Sequence, residues 1–405
     1  MTRPASTRRG GVGPLAVVSI SVGGTVLVCT AAIVSGIVAI ARKIVTPARG
    51  RRDDVRIESY DAPAGTITLS STPDTRLPGR YSFWFGRGTG HARVGGVVRD
   101  DGRHVERRVE AVEGADLTKA HRGRIGGWLF PTPGDAGLVA DEVVVPTDVG
   151  PAPAWLVPAD AGLVGPWMIG VHGRGVTRAE TIRAAPVFHR EGLTSLLVSY
   201  RNDGEAPRSS DGRYALGDSE WRDVESAIRY ALDHGATSVV LMGWSMGGAL
   251  VLQAATRSAL RGAVSGLVLE SPVVDWRTTL AYQGAAMRVP TVVQGLVLRL
   301  LGSPRLCRVA GIAERIDFDR LDLVSRAGDL DVPVLLLHSD DDGFVPSTAS
   351  HALAEARPDL VTFEVFDVAR HTKLWNLDPE RFEDAVADWL DRQRLAGPPS
   401  TDQRA

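Results

Sequence analysis

The chain has 405 residues, 44% hydrophobic and 23% charged, which excludes a disordered polyelectrolyte and supplies enough apolar material for about two folded units plus appendages. A net charge of −2, with no long basic run beyond the N-terminal 56 residues, argues against a nucleic-acid partner. Two cysteines, Cys29 and Cys307, give neither a disulfide framework nor a cysteine-based metal site, and leave the redox compartment open.

In chain order, a basic tail over residues 1–10 comes first. From Leu15 to Ala41, 27 residues carry no charge, bounded by Arg8-Arg9 and Arg42-Lys43. That run exceeds the roughly 20 residues a helix needs to cross a bilayer. It predicts a transmembrane helix over 11–43, with the membrane as a partner. A cleaved signal peptide ending at Ala39-Ile40-Ala41 is the competing reading, but its apolar region normally runs only about 7–15 residues. Arg42, Lys43, Arg49, Arg51, Arg52 and Arg56 outnumber Arg3, Arg8 and Arg9, so the positive-inside rule places the rest of the chain in the cytoplasm.

A polar linker over 44–56 leads to a small β-rich accessory unit over 57–140. Its runs Thr66–Leu69, Tyr81–Phe85 and Ala92–Val98 are separated by Pro, Gly and Asp clusters. It holds no cluster of catalytic residue types. Shaping the active-site mouth and plain packing against the main domain both stay open for it.

From residue 141 to 395 the pattern becomes α/β. Val143–Val145 and Ala154–Val157 suggest a hairpin. Strands follow at Trp167–Val171, Thr194–Tyr200, Ser238–Met242, Gly266–Leu269, Val332–Leu337 and Val361–Phe366, with helical stretches such as Asp218–Asp233 between most of them. Strands alternating with helices predict a mostly parallel sheet covered on both faces, with ligands at the carboxyl ends of the strands. Residues 396–405 read as a disordered tail.

Chemistry-bearing residues fall at three of those strand ends. Gly243-Trp244-Ser245-Met246-Gly247 puts a serine at a strand-to-helix turn, a nucleophile's position, though the pentapeptide alone is a weak signal. A serine needs a histidine to take its proton and a carboxylate to orient that histidine. His338-Ser339-Asp340-Asp341-Asp342-Gly343-Phe344-Val345-Pro346 follows one later strand and Ala369-Arg370-His371-Thr372 follows the last. His189, His234 and His351 fall in or beside helical stretches and read as surface or packing residues.

This arrangement resembles the α/β-hydrolase family, in its esterase and serine-aminopeptidase-like branch, over about residues 141–395. The resemblance rests on the elbow at Ser245, the order Ser, Asp, His, the acid loop His-x-x-x-Asp-x-x-Val-Pro, and a histidine before the C-terminal helix. It implies an α/β-hydrolase fold with Ser245 as nucleophile, Asp342 as acid and His371 as base. The Val-Pro register selects Asp342 over Asp340 and Asp341, which then read as a solvated turn.

An oxyanion hole needs two backbone N–H donors. Met246, after the nucleophile, gives one. His172-Gly173-Arg174-Gly175 resembles the family's oxyanion turn, so Arg174 N–H gives the second, with His172 structural. The excursion over about 271–331, with its apolar run Val292–Leu301 and scattered Arg299, Arg305, Arg308 and Arg315, is expected to form a cap. Tyr200, Arg201, Trp244 and Trp276 are expected to border the pocket.

The sequence therefore predicts a membrane-anchored serine hydrolase of carboxylic esters or thioesters, acting on a small-molecule acyl substrate with no cofactor. A peptidase or aminopeptidase on the same fold is the nearest alternative. An acyltransferase or a non-catalytic binding protein is a further one. The oligomeric state is not legible.

Overall fold

The first described stretch is a helix, α1, over residues 31–45, whose Ile37, Ala41 and Val45 recur every fourth residue and are buried. The computed structural model describes residues 31–48, 50 and 52–397. Most of the expected membrane segment, residues 11–30, and most of the expected C-terminal tail, residues 398–405, lie outside the described residues. Among the described residues no helix is long and apolar enough to cross a membrane. The sequence reading took residues 31–43 as membrane-facing, but the structure packs one face of this helix into the core of the main domain. Apolar character alone does not distinguish a lipid-facing helix from one that covers a core.

The helix runs on through Ile44 and Val45, so the polar linker is shorter than expected. Six strands then close a barrel: β1 (Val55–Asp61), β2 (Thr66–Ser70), β3 (Tyr81–Phe85), β4 (Gly90–Asp100), β5 (His104–Gly114) and β6 (Arg122–Gly126), in the spatial order β1-β2-β5-β4-β3-β6. Its core is small: Ile67, Leu69, Tyr81, Phe83, Phe85, Ala92 and Val94 point inward. Arg107 is buried with them. Its guanidinium donates to the carbonyls of Gly95, Thr75, Leu77 and Gly79 at 2.7–2.9 Å, pairing backbone that has no ladder partner. The strand β5 went unread because its charged residues, Glu106, Arg107, Arg108 and Glu110, hide the alternation.

The hairpin β7 (Asp141–Thr147) and β8 (Gly150–Val157) leads to β9 (Gly165–Val171), α2 (Ala185–Arg190), β10 (Thr194–Val198), α3 (Trp221–Asp233), β11 (Ala236–Trp244), α4 (Met246–Arg257) and β12 (Val264–Glu270). Then come α5 (Trp276–Ala286), α6 (Thr291–Gly302), β13 (Val334–Ser339), α7 (Thr348–Ala356), β14 (Val361–Phe366), α8 (Leu374–Leu377) and α9 (Pro379–Arg392).

Eight strands form one sheet in the order β14-β13-β12-β11-β9-β10-β8-β7. β8 pairs antiparallel with β7 and β10; the other neighbours are parallel. Alternate residues feed two cores. Val239 and Leu241 join the face covered by α3, α4 and α1, while Val240, Met242 and Trp244 join the face covered by α2 and α9. Strand order reverses at β9, with β10 added on one side and β11 on the other, and such a switch point opens a crevice beyond the strand ends.

Candidate active site

Ser245 stands in that crevice, between β11 and α4. Its backbone is held at φ 51°, ψ −115°, a conformation that costs a non-glycine residue energy and is sustained only by its surroundings. Those surroundings need glycine. A Cβ on Gly247 would lie 2.1 Å from the Val171 carbonyl oxygen, and one on Gly243 would lie 2.6 Å from the Gly247 carbonyl oxygen.

His371 Nε2 lies 2.9 Å from Ser245 Oγ, and His371 Nδ1 lies 2.7 Å from Asp342 Oδ2. The three side chains form one hydrogen-bonded line. Asp342 Oδ1 accepts the backbone N–H groups of Phe344 and Val345 at 2.8 and 2.9 Å, and His338 Nε2 lies 3.2 Å from Oδ2. Burial opposes ionisation of Asp342. The charge of His371 and the hydrogen bonds from His338 and His371 outweigh it and hold the carboxyl well below the usual carboxylate range. Asp340 instead meets Ser347 and His351, and Asp341 faces Arg370 at 3.7 Å.

The turn after β9 is fixed from three sides. Gly173 N–H donates to Glu180 Oε2 at 2.7 Å, while its carbonyl accepts the Tyr200 hydroxyl at 3.0 Å and sits 2.8 Å from His172 Nδ1. The Gly173 carbonyl and the Arg174 N–H belong to one planar trans peptide and point in opposite directions. Anchoring the carbonyl on Tyr200 and His172 therefore aims the Arg174 N–H away from them, and it donates to no group among the described residues. Met246 N–H opens α4, where the first helical N–H groups lack intrahelical acceptors.

Two cavities meet at Ser245. One, of about 520 Å³, is a polar cleft that includes Asp74, Trp84, Arg124, Trp128, Arg370 and His371. The barrel thus supplies one of its walls, so the accessory unit does border the mouth of the site. The other, of about 380 Å³, is apolar and lies under α5 and α6, between the cap and α1.

The barrel also grips the segment that carries His371. Arg80 N–H donates to the Asn376 carbonyl at 3.0 Å, Asn376 Nδ2 donates to the Arg80 carbonyl at 2.8 Å, and Lys373 Nζ lies 2.9 Å from Asp74.

Of the expected pocket residues, only Trp276 lines a cavity. Tyr200 is fully buried behind the turn after β9. Arg201 is buried in an ion pair with Asp223 at 2.6 Å and with Asp148. Trp244 faces the opposite core, where its Nε1 donates to Glu270 at 2.6 Å, a carboxyl pushed up by burial. Trp244 ends β11 and Tyr200 and Arg201 follow β10, but a residue at or past a strand end can turn inward, and periodicity does not say which. Glu180, Phe344, Arg370 and the α1 residues Ile40 and Ile44 were missed. Phe344 and Arg370 flank the acid and base within their own loops, whereas Glu180, Ile40 and Ile44 sit outside the motifs and only tertiary packing brings them to Ser245.

Two family models match the chain: Domain of unknown function (DUF8805) over residues 56–126, and Alpha/beta hydrolase family over residues 168–385. An uncharacterized protein of Mycobacterium tuberculosis (strain H37Rv) is 26% identical over 247 residues, which are 60% of this chain and 76% of that protein. Among solved structures, the chain is similar to an esterase of Pyrococcus furiosus (17% identity, 64% of this chain and 94% of that one, TM-score 0.49). It is also similar to a puromycin-hydrolyzing peptidase of Mycobacterium tuberculosis (17% identity, 82% of this chain and 45% of that one, TM-score 0.47). Since the second family model spans more than half of the 405 residues, the chain belongs to the alpha/beta hydrolase family.

Proposed function

We propose that the chain is a serine hydrolase that cleaves carboxylic esters or thioesters through an acyl-enzyme. The observation that carries this reading is the unbroken contact from Ser245 Oγ through His371 to Asp342, at 2.9 and 2.7 Å. Ser245 Oγ attacks the acyl carbonyl carbon while its proton passes to His371 Nε2. The carbonyl electrons move to oxygen, where the Met246 and Arg174 N–H groups stabilise the charge. Collapse expels the leaving group, which takes the proton from His371. Water then attacks the acyl-enzyme with His371 again as base, and Ser245 is regenerated. Asp342 holds the imidazole in the required tautomer and supports its positive charge.

Labelling of the purified full chain with a fluorophosphonate probe tests this. Wild type should label and Ser245→Ala should not; equal labelling of both, or none of wild type, sinks the assignment.

Membrane attachment is proposed through the apolar residues that precede Ile37, because Ile37, Ala41 and Val45 are taken up by the domain core. The cytoplasmic orientation rests on the flanking charges. Fusing an export-dependent reporter enzyme to the C-terminus checks it, and strong reporter activity overturns it.

A further inference from the structure

The two cavities at Ser245 differ in chemistry, and His371 lines only one of them. It borders the polar cleft, with Asp74, Arg124 and Arg370, and is absent from the apolar cavity. In the serine-hydrolase reading His371 must hand a proton to the departing group, so that group has to lie on the polar side. The acyl chain then extends the other way, through the neck formed by Arg174, Ser245 and Phe344, which line both cavities.

The apolar cavity is lined by Val273, Leu280, Met287 and Val297 on one side and by Ile40 and Ile44 of α1 on the other. That second wall is tied down. Arg174 Nη2 donates to the carbonyls of Lys43 and Thr46 at 3.0 and 2.9 Å, Tyr214 N–H donates to the Val45 carbonyl at 2.8 Å, and Arg42 donates to the Val309 carbonyl. The Arg174 and Tyr214 donors satisfy carbonyls at the C-terminal end of α1 that the helix itself leaves unpaired, while Arg42 reaches from α1 to the cap. The same Arg174 whose N–H faces the oxyanion thus holds the wall of the cavity with its guanidinium.

Resting on that hydrolase reading, we propose that the segment from Ile37 to Thr46 is part of the active site, and that the substrate is an ester of an unbranched aliphatic acid with a polar alcohol. The acyl chain lies against Ile40, Ile44 and Leu280, and the alcohol leaves through the barrel-walled cleft. A cavity of about 380 Å³ takes roughly ten methylenes, each being of the order of the 30 Å³ a water occupies in the liquid.

The test is kcat/KM for p-nitrophenyl acetate, butyrate, octanoate and decanoate on the full chain, on Ile44→Trp and on Leu280→Trp. For wild type it should climb by up to about fourfold per added methylene until the cavity is full. Either tryptophan should cut the octanoate-to-butyrate ratio at least about tenfold, since lost volume in a packed site is felt strongly. The two substitutions sit on opposite walls, and the ratio is read within each protein, so a general loss of activity in one does not mimic the effect. A flat chain-length profile, or a profile that both substitutions leave in place, in protein that still labels at Ser245, overturns the acyl cavity and leaves the hydrolase reading standing. Failure of wild type both to label and to cleave any of the four esters overturns both.

Discussion

The strained backbone at Ser245 presents the hydroxyl to His371 at a fixed distance, and the charge on Asp342 fixes which imidazole nitrogen carries the proton. Asp342→Asn would leave the volume unchanged but favour the wrong tautomer. We expect kcat to fall by about 10³- to 10⁴-fold with little change in KM, measured on any ester the wild type cleaves. A less obvious residue is Tyr200. Its hydroxyl binds the Gly173 carbonyl, on the far side of the peptide whose N–H is the proposed oxyanion donor. Tyr200→Phe keeps the ring and its stacking on His172, 4.3 Å between ring centroids, but frees the Gly173 carbonyl on one side. Loss of about tenfold in kcat with KM nearly unchanged is the expected signature of a weakened oxyanion donor. A raised KM with kcat unchanged would show that the turn held by Tyr200 serves ground-state substrate binding instead.

At the scale of elements, the elbow is a packing device. α4 can approach β9 only because Gly247 has no side chain: a Cβ there would meet the Val171 and His172 carbonyl oxygens at 2.1 and 2.6 Å. Gly247→Ala should therefore destabilise the domain by about 3 kcal/mol in chemical denaturation, at the upper end of overpacking costs, because the obstruction is backbone and cannot rotate away. The contact between β3 and α8 has a different purpose. Asn376 bridges Arg80 of the barrel and Arg183 of the main domain, five residues after His371. Asn376→Ala removes both bonds and deprives the Arg80 carbonyl and Arg183 Nη1 of a partner, which costs about 1–3 kcal/mol. Thermal unfolding should shift down, and with it kcat, since the loop bearing His371 loses its brace. If stability falls while kcat stays, the barrel braces the fold but not the catalytic loop.

Across the whole molecule, the barrel carries its own pH response. His91 is buried against Trp84, with its Nε2 3.0 Å from Ser82 Oγ, and burial pulls its pKa down to about 4. The neutral ring is favoured in the fold, whereas the unfolded chain takes up a proton near pH 6.5. Stability from His91 is thus complete above about pH 6.5 and is lost as pH falls towards 4. Melting temperature measured across that window should drop for wild type and drop less for His91→Gln. An unchanged slope would show that carboxylates alone set the acid limit.

How much of this was legible in the sequence differs by level for physical reasons. Strands β9 to β13 are buried on both faces over most of their length and their apolar runs state their own positions, whereas β14 at the edge is only part-buried between Val361 and Phe366. Ser245, Asp342 and His371 follow β11, β13 and β14, so strand ends narrowed the candidates, while the resemblance to the α/β-hydrolase pattern singled out Asp342 and His371 among them. Barrel strand β5 was not legible, because its inward Arg107 is satisfied by carbonyls from two other segments, β4 and the connection between β2 and β3, information that no local window holds. Likewise the apolar run around Ile40 announced burial but not its partner. Apolar character is a local property of the chain, so the sequence by itself determined that these residues would leave water. Only the tertiary structure decided that Ile37, Ala41 and Val45 cover the hydrolase core, and that Ile40 and Ile44 face Ser245, because that depends on which distant surface is complementary.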